Sequence, residues 1–265
     1  MTTPHLPRRL GLHIATVLIL LLALVSAPAW ALDITIDGVH ITDLPNSALD
    51  TDGPNNNTIT FNSAAGGAAG FAIPGYTVSG TVNLGAGGAL GALGASIVNL
   101  TKFTATRIAV PGGGPAGPLV IEFGHDFAGP GGAQFAADRI AGSTTHAGAV
   151  NIQWQGFVNG VAIAPPAGPK VLAFGAPAGG VNVDPVNGAH GVMGVPPPAG
   201  PPWRLKGALT VSLGAVGDVL ALPNSAEVAV GPIDEPSGQA LLAVGVMLVI
   251  AVRFTGASAS RRSWP

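Results

Sequence analysis

From Trp203 to Leu213 the chain alternates without a break. Trp203, Leu205, Leu209, Val211 and Leu213 fall on one side, and Arg204, Lys206, Thr210 and Ser212 on the other. A period of two is that of a half-buried strand, since successive side chains of a strand point to opposite faces. The same pattern puts Tyr76, Val78, Val82 and Leu84 on one face of Tyr76–Leu84. It also turns Val150, Ile152 and Trp154 inward and Asn151, Gln153 and Gln155 outward. Shorter strands are predicted at Leu32–Ile36, Thr58–Phe61, Ser96–Val110, Leu119–Phe123, Val171–Phe174, Val219–Leu222 and Ala226–Val230. In the run around Phe103 the phase slips between Ala105 and Ile108, which predicts a bulge there. Between Val158 and Val161 stands Asn159-Gly160. That pair accepts the two positive φ angles of a type I′ hairpin turn.

What lies between these runs breaks pairing rather than extending it. Pro/Gly/Ala tracts occupy Pro111–Pro118, Gly129–Ala133, Pro165–Pro169, Ala176–Gly180 and Pro196–Pro202, with no Gly-x-y period that would indicate collagen. The Gly85–Gly94 segment has small residues at helical spacing. Its five glycines would cost about 1 kcal/mol each in a helix interior, so it is read as loop. Many short strands with such punctuation predict an all-β chain: a single β-sandwich or jelly-roll-like domain over residues 32–231.

The two ends differ from this middle. Arg8 and Arg9 precede an unbroken apolar run, Ile14–Val25, and Ala29-Trp30-Ala31 follows. A basic start, a short apolar core and a small-x-small site make a secretory signal peptide, with cleavage expected after Ala31. At the other end, Ala240–Val252 is apolar for thirteen residues, about 20 Å as a helix. Extension to Ser237–Phe254 gives eighteen, near the length that crosses a bilayer core, with Arg253 able to snorkel to the interface. Arg253, Arg261 and Arg262 at the far side predict a cytoplasmic C-terminus and an exported N-terminal domain.

The segment Asp234-Glu235-Pro236-Ser237, the Leu241–Gly245 run and the arginines at 253, 261 and 262 together resemble the PEP-CTERM sorting signal of exosortase substrates in Gram-negative bacteria. Asp234 stands where that family usually has its first proline, and the tail ends in Ser263-Trp264-Pro265. The resemblance spans about residues 232–262. It implies processing by exosortase, a membrane cysteine transpeptidase, and a link to exopolysaccharide or biofilm matrix. It does not extend to the fold or activity of residues 32–231.

For chemistry the chain offers little. It has no cysteine, which removes thiol catalysis and Cys-ligated zinc. There is no Gly-x-Ser-x-Gly, His-Glu-x-x-His or P-loop motif. Charged residues make up 9% of the chain, and residues 32–231 carry six Lys/Arg against eleven Asp/Glu. A mildly acidic exported domain has no electrostatic footprint for nucleic acid. The densest polar cluster is Glu122-Phe123-Gly124-His125-Asp126, to which a later loop could add Ser143, Thr144 and His146 as an acid–base group. A polar loop rim closing the Leu119–Phe123 strand is the other reading. The loop Asp50-Thr-Asp52-Gly-Pro-Asn55-Asn-Asn57 is rich in oxygen donors. Asp50, Asp52 and Asn55 could hold calcium, or simply form turns. Trp154 and Trp203, on the apolar sides of their strands, are read as core anchors.

The sequence thus predicts a non-enzymatic, exported, membrane-anchored surface or matrix protein. Signal peptidase and exosortase would be its processing enzymes, and the cell surface or extracellular matrix its destination. No cofactor is required by this reading. The other reading is a calcium- or glycan-binding module delivered by the same tail.

Overall fold

The computed structural model describes residues 32–45, 47–54, 56–64, 70–85, 96–127, 134–163, 168–195 and 203–232. Thirteen strands and no helix occur among them. They are β1 (Leu32–Ile36), β2 (Val39–Thr42), β3 (Thr58–Asn62), β4 (Tyr76–Leu84), β5 (Ser96–Arg107), β6 (Leu119–Phe127), β7 (Gln134–His146), β8 (Val150–Val158), β9 (Val161–Ala162), β10 (Lys170–Phe174), β11 (Asn182–Val195), β12 (Trp203–Leu213) and β13 (Val219–Pro232).

Two antiparallel sheets result. The first runs β10-β8-β12-β6-β1-β2, with β9 paired to β8; the second runs β11-β7-β13-β5-β4-β3. From β5 onward the chain crosses between sheets at almost every step, so β10-β8-β12-β6 and β11-β7-β13-β5 interleave in the order of a jelly roll. The β1–β2 hairpin widens the first sheet beyond β6, and β3–β4 widens the second beyond β5. The expectation of an all-β sandwich of this kind is met.

The alternating runs fold as read, except that Gln155, expected to face water, is buried, its Nε2 donating to the Gly156 and Ile163 carbonyls. In β12 every inward residue is buried, and Trp203 and Leu209 are 4% and 0% exposed. Phe123 and Trp154 stack at 5.9 Å between ring centroids. They meet over Gly207, where a Cβ would lie 2.5 Å from the Phe123 ring and 2.8 Å from Trp154. Only glycine leaves that room. Asn159 and Gly160 take φ of 50° and 76°, and Val158 pairs with Val161 across the turn, as the type I′ reading requires.

Three departures matter. Residues 134–146, with Ser143, Thr144 and His146, form a long strand rather than a loop. The segments 219–222 and 226–230 belong to one strand, β13, with a bulge around Pro223 and Ser225. The irregularity in β5 lies at Lys102, which has a φ of 50°, and not between Ala105 and Ile108. From Phe103 to Arg107 the alternation holds, with Arg107 taking an inward position that sequence polarity had argued against.

Candidate functional site

The acidic loop ahead of β3 is the most concentrated polar structure at the edge of the fold. β3 is the outermost strand of the second sheet, so its outer backbone groups have no ladder partner. Residues 50–52 cover part of that edge. Thr51 N–H donates to the Thr60 carbonyl at 2.8 Å. The Thr60 N–H donates to both Asp50 Oδ1 and Asp52 Oδ1, each at 3.1 Å. On the far side of the loop, Asp43 accepts from Asn56 N at 3.2 Å and from Asn57 N at 2.6 Å. Asn57 takes a φ of 60°, which Asn tolerates, and Asn56 Oδ1 accepts from Thr58 N at 2.8 Å in an Asx turn.

Asp50 and Asp52 are therefore brought together, as the calcium reading requires. Asn55 lies outside the described residues. Asp50 is 9% exposed, and its Oδ2 is buried with no hydrogen-bond partner. Burial, then its hydrogen bond with Asp52, pushes the Asp50 carboxyl up to about 7. At Asp52 burial acts upward too, but hydrogen bonds from Asp50 and the Thr60 N–H hold that carboxyl below its ordinary value. Among the described residues no group of three or more His, Asp or Glu side chains is placed to hold a metal.

The acid–base constellation is not assembled. Glu122 and His125 both lie on β6, not at a strand end. Glu122 faces outward, where Lys206 Nζ contacts it at 2.6 Å. His125 is paired in register with Leu205 and Leu32, on the inner face. Burial drives its basicity down, and its Nδ1 has no hydrogen-bond partner. His146 ends β7 beside Val150, which pairs with Leu213 at the other end of β12. Eight residues of strand, about 27 Å, separate those levels. His146 is itself engaged. Nε2 meets Asp184 Oδ2 at 2.8 Å and Nδ1 meets the Gly148 carbonyl at 2.7 Å. Both partners are acceptors, so the doubly protonated ring suits them best, and the Asp184 hydrogen bond raises the His146 basicity.

Sequence reasoning missed the central polar group. Asp138, on β7 and 1% exposed, accepts from Trp154 Nε1 at 3.2 Å and Gly156 N at 2.7 Å across the sandwich. From β11 it accepts His190 N at 3.1 Å and Nδ1 at 2.9 Å. Burial raises its carboxyl even so. The signal available was the unexplained acid in Ala136-Ala137-Asp138-Arg139-Ile140, an apolar-rich run with no turn residue.

Two further features flank the core. On the outer face of the first sheet, Arg204 reaches both oxygens of Asp33 at 2.8 and 2.6 Å and Asp126 at 3.0 Å. Beside it Lys206 sits 5.7 Å from the centroid of the Phe157 ring. At one end of the sandwich a cleft of about 610 Å³ is lined by Phe71, Ile73, Pro74, Tyr76, Ile108 and Pro111, among others. The remaining expected sites lie outside the described residues: Ala29, Ala31, Asp234, Glu235, Pro236, Ser237, Arg253, Arg261 and Arg262.

No protein-family model matches the chain, and no curated protein does. Solved structures share weak likeness. The enzymatically active domain of bacteriophage CBA120 tailspike protein 4 is 15% identical at a TM-score of 0.23, covering 60% of this chain; the chain spans 19% of that one. A carbohydrate-binding module, TmCBM61, solved with β-1,4-galactotriose, is 12% identical at 0.22, with 57% of this chain and 86% of that one covered. A carbohydrate-binding module described as promiscuous and of the β-sandwich superfamily is 13% identical at 0.21, with 74% and 84% covered. Likeness at these scores carries no functional weight.

Proposed function

We propose that this chain is an exported protein, anchored in a membrane by its C-terminal segment and sorted to the cell surface or matrix, with a jelly-roll domain that has no catalytic role. The observation that carries the proposal is the sequence of the two ends: Arg8-Arg9, the apolar Ile14–Val25 run and Ala29-Trp30-Ala31 at one, and Asp234-Glu235-Pro236-Ser237, the apolar run to Phe254 and Arg253, Arg261 and Arg262 at the other. The sandwich described between them runs from β1 (Leu32–Ile36) to β13 (Val219–Pro232).

The test is the mature protein isolated from its native envelope. Its N-terminus is expected at Leu32. Its C-terminus is expected upstream of Arg253, and Glu235→Ala or Pro236→Ala is expected to leave the full-length tail. Retention of Arg8-Arg9 would remove the export half of the proposal. An intact Arg253–Pro265 end, in cells that process other such substrates, would remove the sorting half and leave a plain membrane anchor. An Arg at Val246 or Leu248 is expected to cost insertion about 2.5–3.5 kcal/mol.

A further inference from the structure

The loop before β3 gathers more carboxyl oxygens than its hydrogen bonds use. Asp50 and Asp52 converge on the Thr60 N–H, and Asp50 Oδ1 takes the Asp52 N–H as well, at 3.4 Å. An ionised carboxylate offers about four lone-pair sites, so these two N–H groups leave several of them empty. In water that would matter little. Here the Asp50 side chain is nine-tenths buried, and its Oδ2 meets no donor at all. A buried, unpartnered carboxyl oxygen beside a second carboxyl calls for a proton or a cation between them. None of the described ion pairs supplies one: Arg139 pairs with Glu227, Arg204 with Asp33 and Asp126, and Lys206 with Glu122.

We infer that Asp50 and Asp52 form a calcium site that fastens the 43–57 loop to the free edge of β3. The donors are all hard oxygens, with no histidine or sulfur among them, which favours calcium over zinc or copper. Two carboxylates leave most of a six- to eight-fold calcium shell to carbonyls and water, and an irregular oxygen set of that kind suits calcium's flexible geometry better than magnesium's near-ideal octahedron. The neighbouring anchor supports a fastening role. Asp43 already holds the loop through Asn56 N and Asn57 N, so a cation at Asp50 and Asp52 would fix its other arm. The alternative occupant is a proton shared by the two carboxyls. It would satisfy one gap and leave the remaining lone pairs as they are.

The experiment uses the full chain stripped with a chelator at pH 7.5, titrated with calcium chloride and separately with magnesium chloride. Calcium is expected to give a binding isotherm. At a hundred times its Kd the melting temperature is expected to rise by about 5–10 °C. Asp52→Asn is expected to abolish both effects, and magnesium to bind at least tenfold more weakly. No calcium heat, with identical melts in calcium and in chelator, overturns the site in favour of the shared proton. An unchanged isotherm in Asp50→Asn and Asp52→Asn overturns it by placing the calcium elsewhere. Should either variant fail to fold, proteolysis of the wild-type chain decides. Calcium is expected to protect cleavage within 43–57 at least tenfold, and equal cleavage with and without calcium overturns the proposal.

Discussion

The two sheets of this sandwich are built on different terms. The first pairs along every described ladder without a register shift, and its inner face is almost wholly aliphatic and aromatic. The second shifts register in β11–β7, β13–β5, β13–β7 and β4–β5. It also buries Asn99, Arg107, Asp138, Thr144, His146, Ser225 and Glu227, where the first sheet's strands bury Gln155 alone among the described polar side chains. These two properties belong together. A bulge takes backbone groups out of the ladder, and buried groups must find partners. The second sheet supplies them from side chains: Thr144 Oγ1 donates to the Val219 carbonyl at 3.0 Å, and Arg107 Nη1 donates to Gly75 O at 2.9 Å. The first sheet is held by packing, the second by packing plus a polar framework that also reaches across to its partner.

The largest expected effect tests the packed sheet. Trp203 is 4% exposed and lies edge-on to Phe127, with centroids 5.9 Å apart. Trp203→Asp removes that ring and leaves a buried charge with no partner. The two losses, about 3–5 kcal/mol each, together rival the whole stability of a typical domain. Urea unfolding of the variant is expected to lack a cooperative transition. Native-like melting would mean that the apolar face of β12 is not where the first sheet's stability lies.

Next comes the polar framework. Asp138→Ala strands the Trp154 indole, the Gly156 N–H and the His190 N–H in the interior. Each unsatisfied donor costs about 1–3 kcal/mol, and removing a carboxylate whose own burial is unfavourable returns part of that. A net loss of about 3–4 kcal/mol is expected from the shift in urea midpoint. Asp138→Asn, which retains one acceptor oxygen, is expected to lose about half as much. A loss under about 0.5 kcal/mol for Asp138→Ala would make the two sheets energetically alike and end the comparison.

The same division governs what the sequence disclosed. β4, β8 and β12 were legible because hydrophobic alternation is their only requirement, and the Asn159-Gly160 turn because few other pairs take two positive φ angles. β7 and β11 were not. β7 turns Asp138, Thr144 and His146 inward, so its pattern reads as polar and loop-like until Trp154, Gly156 and Val219 are seen to meet it. β11 is an edge strand and tolerates Pro185 opposite Ser143, a residue that argues against a strand when only sequence is read. β13 was split in two because Pro223 marks a bulge as readily as a strand end. The acidic loop was legible by residue type. Its geometry was not, since the convergence of Asp50 and Asp52 depends on Thr60 standing at a sheet edge.

The smallest expected effect separates the sheets by the sign of their response to pH. His125, in the first sheet, is held less basic by burial. On acidification the unfolded chain protonates first, near pH 6.5, so this residue costs the fold stability from there down to its lower folded value. His146, in the second, is held more basic by Asp184 and the Gly148 carbonyl. Its contribution is fully present below about pH 6.5 and is lost as pH rises through the raised folded value. Denaturation at a series of pH values from 5 to 9 is the measurement. Relative to wild type, His125→Phe is expected to gain stability as pH falls below about 6.5, because the penalty has gone. His146→Gln is expected to lose relative stability as pH falls towards 6.5, because the favourable protonation has gone. Other titrating groups are common to all three proteins and cancel in these differences. Difference curves of the same slope would mean that the two histidines share one electrostatic environment, and that the polar framework of the second sheet does not set it apart.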